Sequence, residues 1–185
     1  MKPSILANFV IFNIVWFCCV LGAANNMAWI GLLALTGFAA FQLTISHDRV
    51  ADVRLLSAAA LIGWAIDTIY LQVGLLSYAS PAPGGGLAPW WIVALWINFA
   101  LIMNHSLYWL QPYPLLAGIF GFLGGPLAYY GGIKMDAVFP AITTWQLLLI
   151  FGIIWAFATP LLFWIARNTQ TTVIVAEPVK LNERD

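Results

Sequence analysis

Asp67 is the only acidic side chain well inside a long apolar stretch of this chain. A carboxyl group in such a setting suits proton transfer or recognition of a polar group on a ligand. The residues that could share that work are amides and one imidazole: Asn8, Asn13, Gln42, Asn98, Asn104 and His105. Three of them fall in WINFALIMNHSLYWLQPYP, residues 96–114. At about 100° per residue, Asn98 and His105 share a helical stripe with Ala94, Ile102 and Trp109, and Tyr108 and Asn104 flank it. The opposite face, with Ile92, Trp96, Phe99, Met103, Leu107 and Leu110, is expected to meet lipid. Around Asp67 the same arithmetic groups Ala60, Gly63, Trp64, Tyr70 and Gly74 on an inward face.

With a rise of about 1.5 Å per residue, Asp67, Asn98 and Asn13 form one polar layer. His105, Asn104, Asn8 and Gln42 form a second, nearer the termini. Asp67 and His105 differ in depth by about 11 Å, too far for a direct acid–histidine pair. The ligand-contact candidates are therefore Asp67, Asn98, His105, Asn104, Asn13 and Asn8, with Trp16, Trp64 and Tyr70 as apolar wall. For any single amide the competing reading is interhelical hydrogen bonding, at about 0.6 kcal/mol each.

Elements that could hold such residues follow from composition. Hydrophobic residues are 63% of the 185 and charged residues 8%, which leaves too few charges to cover a soluble fold. Spans of about 20 apolar residues are expected at 4–22, 27–45, 53–76, 90–110, 113–132 and 145–167. The expected fold is thus all-α: a polytopic bundle of six transmembrane helices forming one domain over 1–167, followed by a polar tail at 168–185. Period-two alternation is absent, which argues against a barrel. Lys2, Arg49, Arg54, Arg167, Lys180 and Arg184 would share one side and Lys134 the other, so both termini are expected in the cytoplasm. Trp29, Trp90, Trp91 and Trp145 would mark the outer interface, and Trp109, Tyr113 and Trp164 the inner one. Lys2, an apolar run and Gly22-Ala23-Ala24 could serve as a signal peptide. We expect this segment to be retained as the first helix. Helix 5, with Gly118, Gly121, Gly124 and Gly125, is expected to pack closely on a neighbour, and Thr159-Pro160 to kink helix 6.

Zero net charge without a basic cluster offers no nucleic-acid footprint. Cys18 and Cys19 suit packing better than a disulfide or a metal. No zinc-protease, nucleophile-elbow or Walker motif is present, and no spacing of His47 and His105 indicates haem or any other cofactor. Asp48, Asp52, Arg54, Gly63 and Asp67 resemble the CDP-alcohol phosphotransferase pattern. However, no Asp-Gly pair precedes them, and Leu71 stands where the last catalytic aspartate belongs.

The segments ANFVIFNIVWFCCVLGAAN, GWAID, APWWIVALWINFALIMNHSLYWL and GFLGGPLAYYGG resemble DUF2878, a bacterial inner-membrane family defined as a domain of unknown function. The resemblance extends to about Arg167, and its most specific part is the Asn-His-Ser-Leu…Trp-Leu run. It implies a place in the bacterial cytoplasmic membrane near lipids and lipid-modifying enzymes, and it carries no catalytic role. The leading expectation is a protein that binds a lipid or other amphiphile in a polar intramembrane cavity, accessory to lipid modification. Its partners would be that ligand, a second copy of the chain or a lipid-modifying enzyme. The alternatives are a proton-coupled transporter of lipid or small solute, and an intramembrane enzyme using Asp67 or His105. A structural partner protein is a further class.

Overall fold

A computed structural model describes residues 3–170, and the tail beyond, with Lys180 and Arg184, lies outside the described residues, as does Lys2. Six α-helices follow in order: α1 (Pro3–Ala24), α2 (Trp29–Ile45), α3 (Arg49–Gln72), α4 (Trp90–Met103), α5 (Pro114–Lys134) and α6 (Thr144–Thr169). α1, α3, α5 and α6 are long and apolar enough to cross a membrane, whereas α2 and α4 are shorter apolar helices of 17 and 14 residues.

Among the described residues the fold departs from purely helical at one place. Strands β1 (Leu76–Tyr78) and β2 (Val138–Pro140) pair antiparallel, with Tyr78 opposite Val138. They tie the α3–α4 connection to the α5–α6 connection, at the end where Ser80 Oγ donates to the Ala23 carbonyl of α1 (2.9 Å). At the opposite end Asp48 caps α3 by accepting from the Ala51 amide (2.9 Å), satisfying a donor the helix cannot.

α4 is the centre of the bundle. Of its residues only Trp90 is exposed, and the face assigned to lipid is enclosed instead: Ile92, Trp96, Phe99, Met103, Leu107 and Leu110 are all buried. The physical reason is uniform hydrophobicity, because a helix apolar on every side is best buried among other helices. The amides that guided the sequence-based stripe mark only one of its several packed faces. α4 also ends seven residues early. Asn104 is its C-cap, 104–107 turn, and a short 3-10 turn covers Tyr108–Leu110. Asn104 and His105 therefore sit at a helix end, where backbone groups need polar partners, and not within a continuous helix.

Glycines set the tightest helix contacts. α5 and α6 pack through Gly118, Gly121 and Gly125 of one and Gly152 of the other, as the small-residue surface suggested. Two prolines make this pairing reciprocal. Pro160 has no N–H, so the Ala156 carbonyl one turn back is freed, and Gly118 approaches it; Pro126 frees the Phe122 carbonyl, and Gly152 approaches that. Cys19 packs against Gly31 of α2, and both cysteines are free.

The outward surface is apolar, as lipid contact requires. Trp29, Trp90, Trp145, Trp109, Tyr113 and Trp164 are exposed. Trp91 is the exception. It is buried, and its indole N–H donates to the Ala79 carbonyl (2.9 Å) to hold the loop that follows β1.

Candidate functional site

Asp67 is fully buried and accepts three hydrogen bonds. Tyr78 from β1 and Tyr129 from α5 (2.5 Å) donate to Oδ1, and the Trp96 indole from α4 donates to Oδ2 (2.7 Å). No basic side chain pairs with it among the described residues.

Backbone spacing explains how these donors reach it. On α3, Gly63 lies one turn before Asp67; a Cβ there would fall 2.0 Å from Trp96 Cγ, so only glycine lets the indole lie across the helix. On α5, Gly125 lies one turn before Tyr129, and a Cβ there would fall 2.3 Å from Trp155 Cγ. Trp96 and Trp155 stack between these two glycines, 4.4 Å apart and 16° from parallel. The pairs Gly63/Asp67 and Gly125/Tyr129 are thus one device used twice: a glycine admits an indole, and a polar group one turn on reaches the carboxylate cluster. Phe151 of α6 closes the cluster, with its ring 4.1 Å from that of Tyr129 and 4.7 Å from that of Tyr70.

Trp96, Trp155 and Tyr129 present their other surfaces to a cavity of about 340 Å³. It is a groove walled by Phe9, Phe12, Asn13, Trp16 and Phe17 of α1 on one side, with Phe120, Gly124 and Ala128 of α5 on the other. Ile92, Leu95, Trp96 and Phe99 of α4 form its floor. Its size lies in the range of small-molecule sites, roughly 300–1,000 Å³. The indole N–H of Trp155 is buried without an acceptor in this wall. A second depression, about 520 Å³, runs over the outer face of the α5–α6 hairpin between Phe122, Leu127, Trp145 and Leu149. It meets only the exposed side of one hairpin.

The sequence-derived candidates divide accordingly. Asn13 and Trp16 line the groove. Asn13 also back-bonds to the Phe9 carbonyl of its own helix (2.8 Å). Asp67 stands behind the groove wall, reached only through Trp96 and Tyr129. Asn98 is buried and donates to the Phe12 carbonyl (3.0 Å), and its Oδ1 is left unpartnered. Tyr70 is buried with its hydroxyl unpartnered, inside the aromatic cluster and outside the groove. Trp64 is 40% exposed and points outward, because Gly63, and not its neighbour, occupies the inward position against Trp96. The groove is walled mainly by aromatic and aliphatic side chains and not by the expected polar set, because Asp67 is held by Tyr78, Tyr129 and Trp96, Asn13 and Asn98 by backbone carbonyls, and Asn8, Asn104 and His105 by a separate network.

The lower polar layer does assemble. Ser106 Oγ donates to Asn8, Asn8 to Gln42 Oε1 (2.8 Å), and the Gln42 amide meets His105 Nε2 (2.5 Å). His105 Nε2 lies 3.9 Å from Asp52 Oδ2. Asn104 donates to Asp52 Oδ1 (2.7 Å), Ser46 to its Oδ2 (2.6 Å), and Gln111 to Asn104 (2.8 Å). His105 sits in the turn after α4. Burial pushes its pKa below the ordinary 6.5, the Asp52 carboxylate partly opposes this, and His47 adds to it. Ser46, Ser106 and Gln111 escaped the sequence reading because they lie at helix ends, where polar residues carry no signal, and Asp52 entered it only through the rejected phosphotransferase pattern. Tyr78, Trp96 and Tyr129 escaped it because aromatic residues are abundant throughout. The glycine four residues before Tyr129, mirroring Gly63 and Asp67, was the available clue. Among the described residues no group of three or more metal-ligating side chains occurs.

A family model described as protein of unknown function (DUF2878) matches residues 5–161. The chain belongs to the DUF2878 family. The match runs from Ile5 of α1 to Leu161 of α6, and so takes in the Asp67 cluster, the groove and the lower network. No curated protein and no solved structure matches the chain.

Proposed function

We propose that this protein spans the bacterial cytoplasmic membrane six times as one helical domain. Both termini are cytoplasmic, and the groove between α1 and α5 binds the chain of a lipid or other amphiphile. Arg49 and Arg54 in the first turns of α3 and Arg167 near the end of α6 lie at one end of the bundle, with Lys134 at the other, which supports that orientation. α4 is the shortest of the six helices, its 14 residues rising roughly 21 Å.

The observation that carries the binding reading is the groove itself. It is an aromatic trough between two apolar helices that do not close over it, floored by the buried helix α4. Aromatic and aliphatic walls with few polar groups suit an acyl or isoprenoid chain. A role beside enzymes that modify membrane lipids fits such an occupant.

Gly124 gives the test. It lines the groove, and the nearest atom to a Cβ placed there is Phe120 Cε1 at 3.9 Å, so a longer side chain enters the groove without striking the core. A phospholipid with a diazirine in mid-chain, photolysed in reconstituted vesicles, should label α1 and α5 residues facing the groove. Gly124→Leu should abolish that labelling while leaving labelling of the outer α5–α6 face unchanged. Equal labelling in both proteins would refute the proposal.

A further inference from the structure

The lower polar network uses Asp52 and His105 in an arrangement that the groove reading does not require. Gln42 Oε1 is occupied by Asn8, so the Gln42 amide nitrogen faces His105 Nε2. Neutral His105 therefore accepts at Nε2 and holds its own proton at Nδ1. The bonds run in one direction, from Ser106 through Asn8 and Gln42 to His105.

We propose that His105 and Asp52 form a proton-binding site whose occupancy is passed through the Gln42 amide to α1. A proton taken from the aqueous side onto His105 Nε2 turns that atom from acceptor into donor, and the Asp52 carboxylate 3.9 Å away balances the new charge. Gln42 must then turn its amide to present Oε1 to the imidazolium. Its nitrogen now donates to Asn8 Oδ1, and Asn8 Nδ2 donates to Ser106 Oγ. The Ser106 hydroxyl remains free to donate to the Ile5 carbonyl, 3.2 Å away. Every link is retained with its direction reversed. A chain of two primary amides ended by a hydroxyl can do this; a carboxylate or an aliphatic side chain at position 42 could not.

The groups facing His105 support this assignment. Asp52 comes from α3 and the exposed His47 from the α2–α3 connection, while α2 and α1 contribute only the amides Gln42 and Asn8. On the far side Gln111 caps Asn104, and Arg167 of α6 reaches the Gln111 carbonyl (3.5 Å), not His105. The His105 side chain is 25% exposed, which gives protons access. Asn8 lies one residue before Phe9, the first groove residue of α1, so the reversal passes through the helix that walls the groove. The proton site itself does not depend on what the groove holds.

The test is a titration of the wild-type protein in nanodiscs from about pH 8 to pH 5, followed by NMR of 15N-labelled histidine and of side-chain amides. His105 Nε2 should pass from the unprotonated to the protonated signal, and the Asn8 and Gln42 amide signals should move with the same midpoint. Asp52→Asn should carry all three midpoints to lower pH together. Gln42→Met should leave His105 titrating while the response of Asn8 is lost. An Asn8 signal that stays still while wild-type His105 titrates would overturn the proposal, as would one that still titrates in Gln42→Met. A His105 that stays neutral until the protein unfolds would overturn it too. None of these readings requires a groove ligand, so a failed labelling experiment and a failed titration remain distinct.

Discussion

Replacing Gly63 with alanine should do far more damage than one methyl group normally does. The added Cβ would lie 2.0 Å from Trp96 Cγ and 2.2 Å from its Cδ1, well inside van der Waals contact. Trp96 cannot slide away, because Trp155 is stacked on its other face and Trp155 in turn lies against Gly125. The indole must therefore tilt, and its N–H leaves Asp67 Oδ2. Overpacking of this kind costs about 1–3 kcal/mol. Losing a hydrogen bond to a charged group costs about 1.5–3 kcal/mol more. Alanine returns about 1 kcal/mol through helix propensity. The net loss is about 1.5–5 kcal/mol. Gly37→Ala is the control, since nothing lies within 4 Å of a Cβ there, and it should be neutral or stabilising. Unfolding curves against SDS mole fraction in mixed micelles measure both. A Gly63→Ala protein as stable as Gly37→Ala would refute the glycine–indole–indole–glycine sandwich.

Other consequences concern the two polar clusters and the topology. Asp67→Asn places an amide where one carboxylate oxygen accepted, so a donor among Tyr78, Tyr129 and Trp96 loses its acceptor. Stability in the same unfolding assay should fall by about 1–3 kcal/mol, and unchanged stability would show that the three donors do not depend on that carboxylate. His105 has its pKa lowered by burial, so the unfolded chain binds its proton more readily than the folded one. Its contribution to stability is therefore present above the ordinary value of 6.5 and is lost as pH falls through the lower folded value, a slope that thermal unfolding should register and His105→Gln should flatten. Reporter fusions after Ala88 and after Arg167 should read opposite compartments, outside and inside respectively, whereas a shared compartment would end the six-span topology.

The sequence revealed the helices well, because lipid demands long apolar runs and interruptions such as SHDR or PAPGGG stand out. It misled where composition is uniform. In α4 every face is apolar, so the few amides looked like a buried stripe, and Trp96, the residue that joins Asp67 to the groove, looked like a lipid contact. The end of α4 was equally hidden, since Asn104 to Ser106 cap and turn the chain without any glycine or proline to announce it. The lower layer of Asn8, Gln42, Asn104 and His105 was legible because depth follows directly from residue count. The central layer was not, because its donors are aromatic side chains brought in by β1, α4 and α5 from 11, 29 and 62 residues away.

The central claim is that the groove between α1 and α5 holds an amphiphile, and native mass spectrometry of gently extracted protein tests it most directly. The wild type should carry an adduct with the mass of a lipid or other amphiphile that survives mild activation, and Gly124→Leu, equally well folded, should fly bare. Bare wild-type protein, or the same adduct at the same occupancy on Gly124→Leu, would contradict the account.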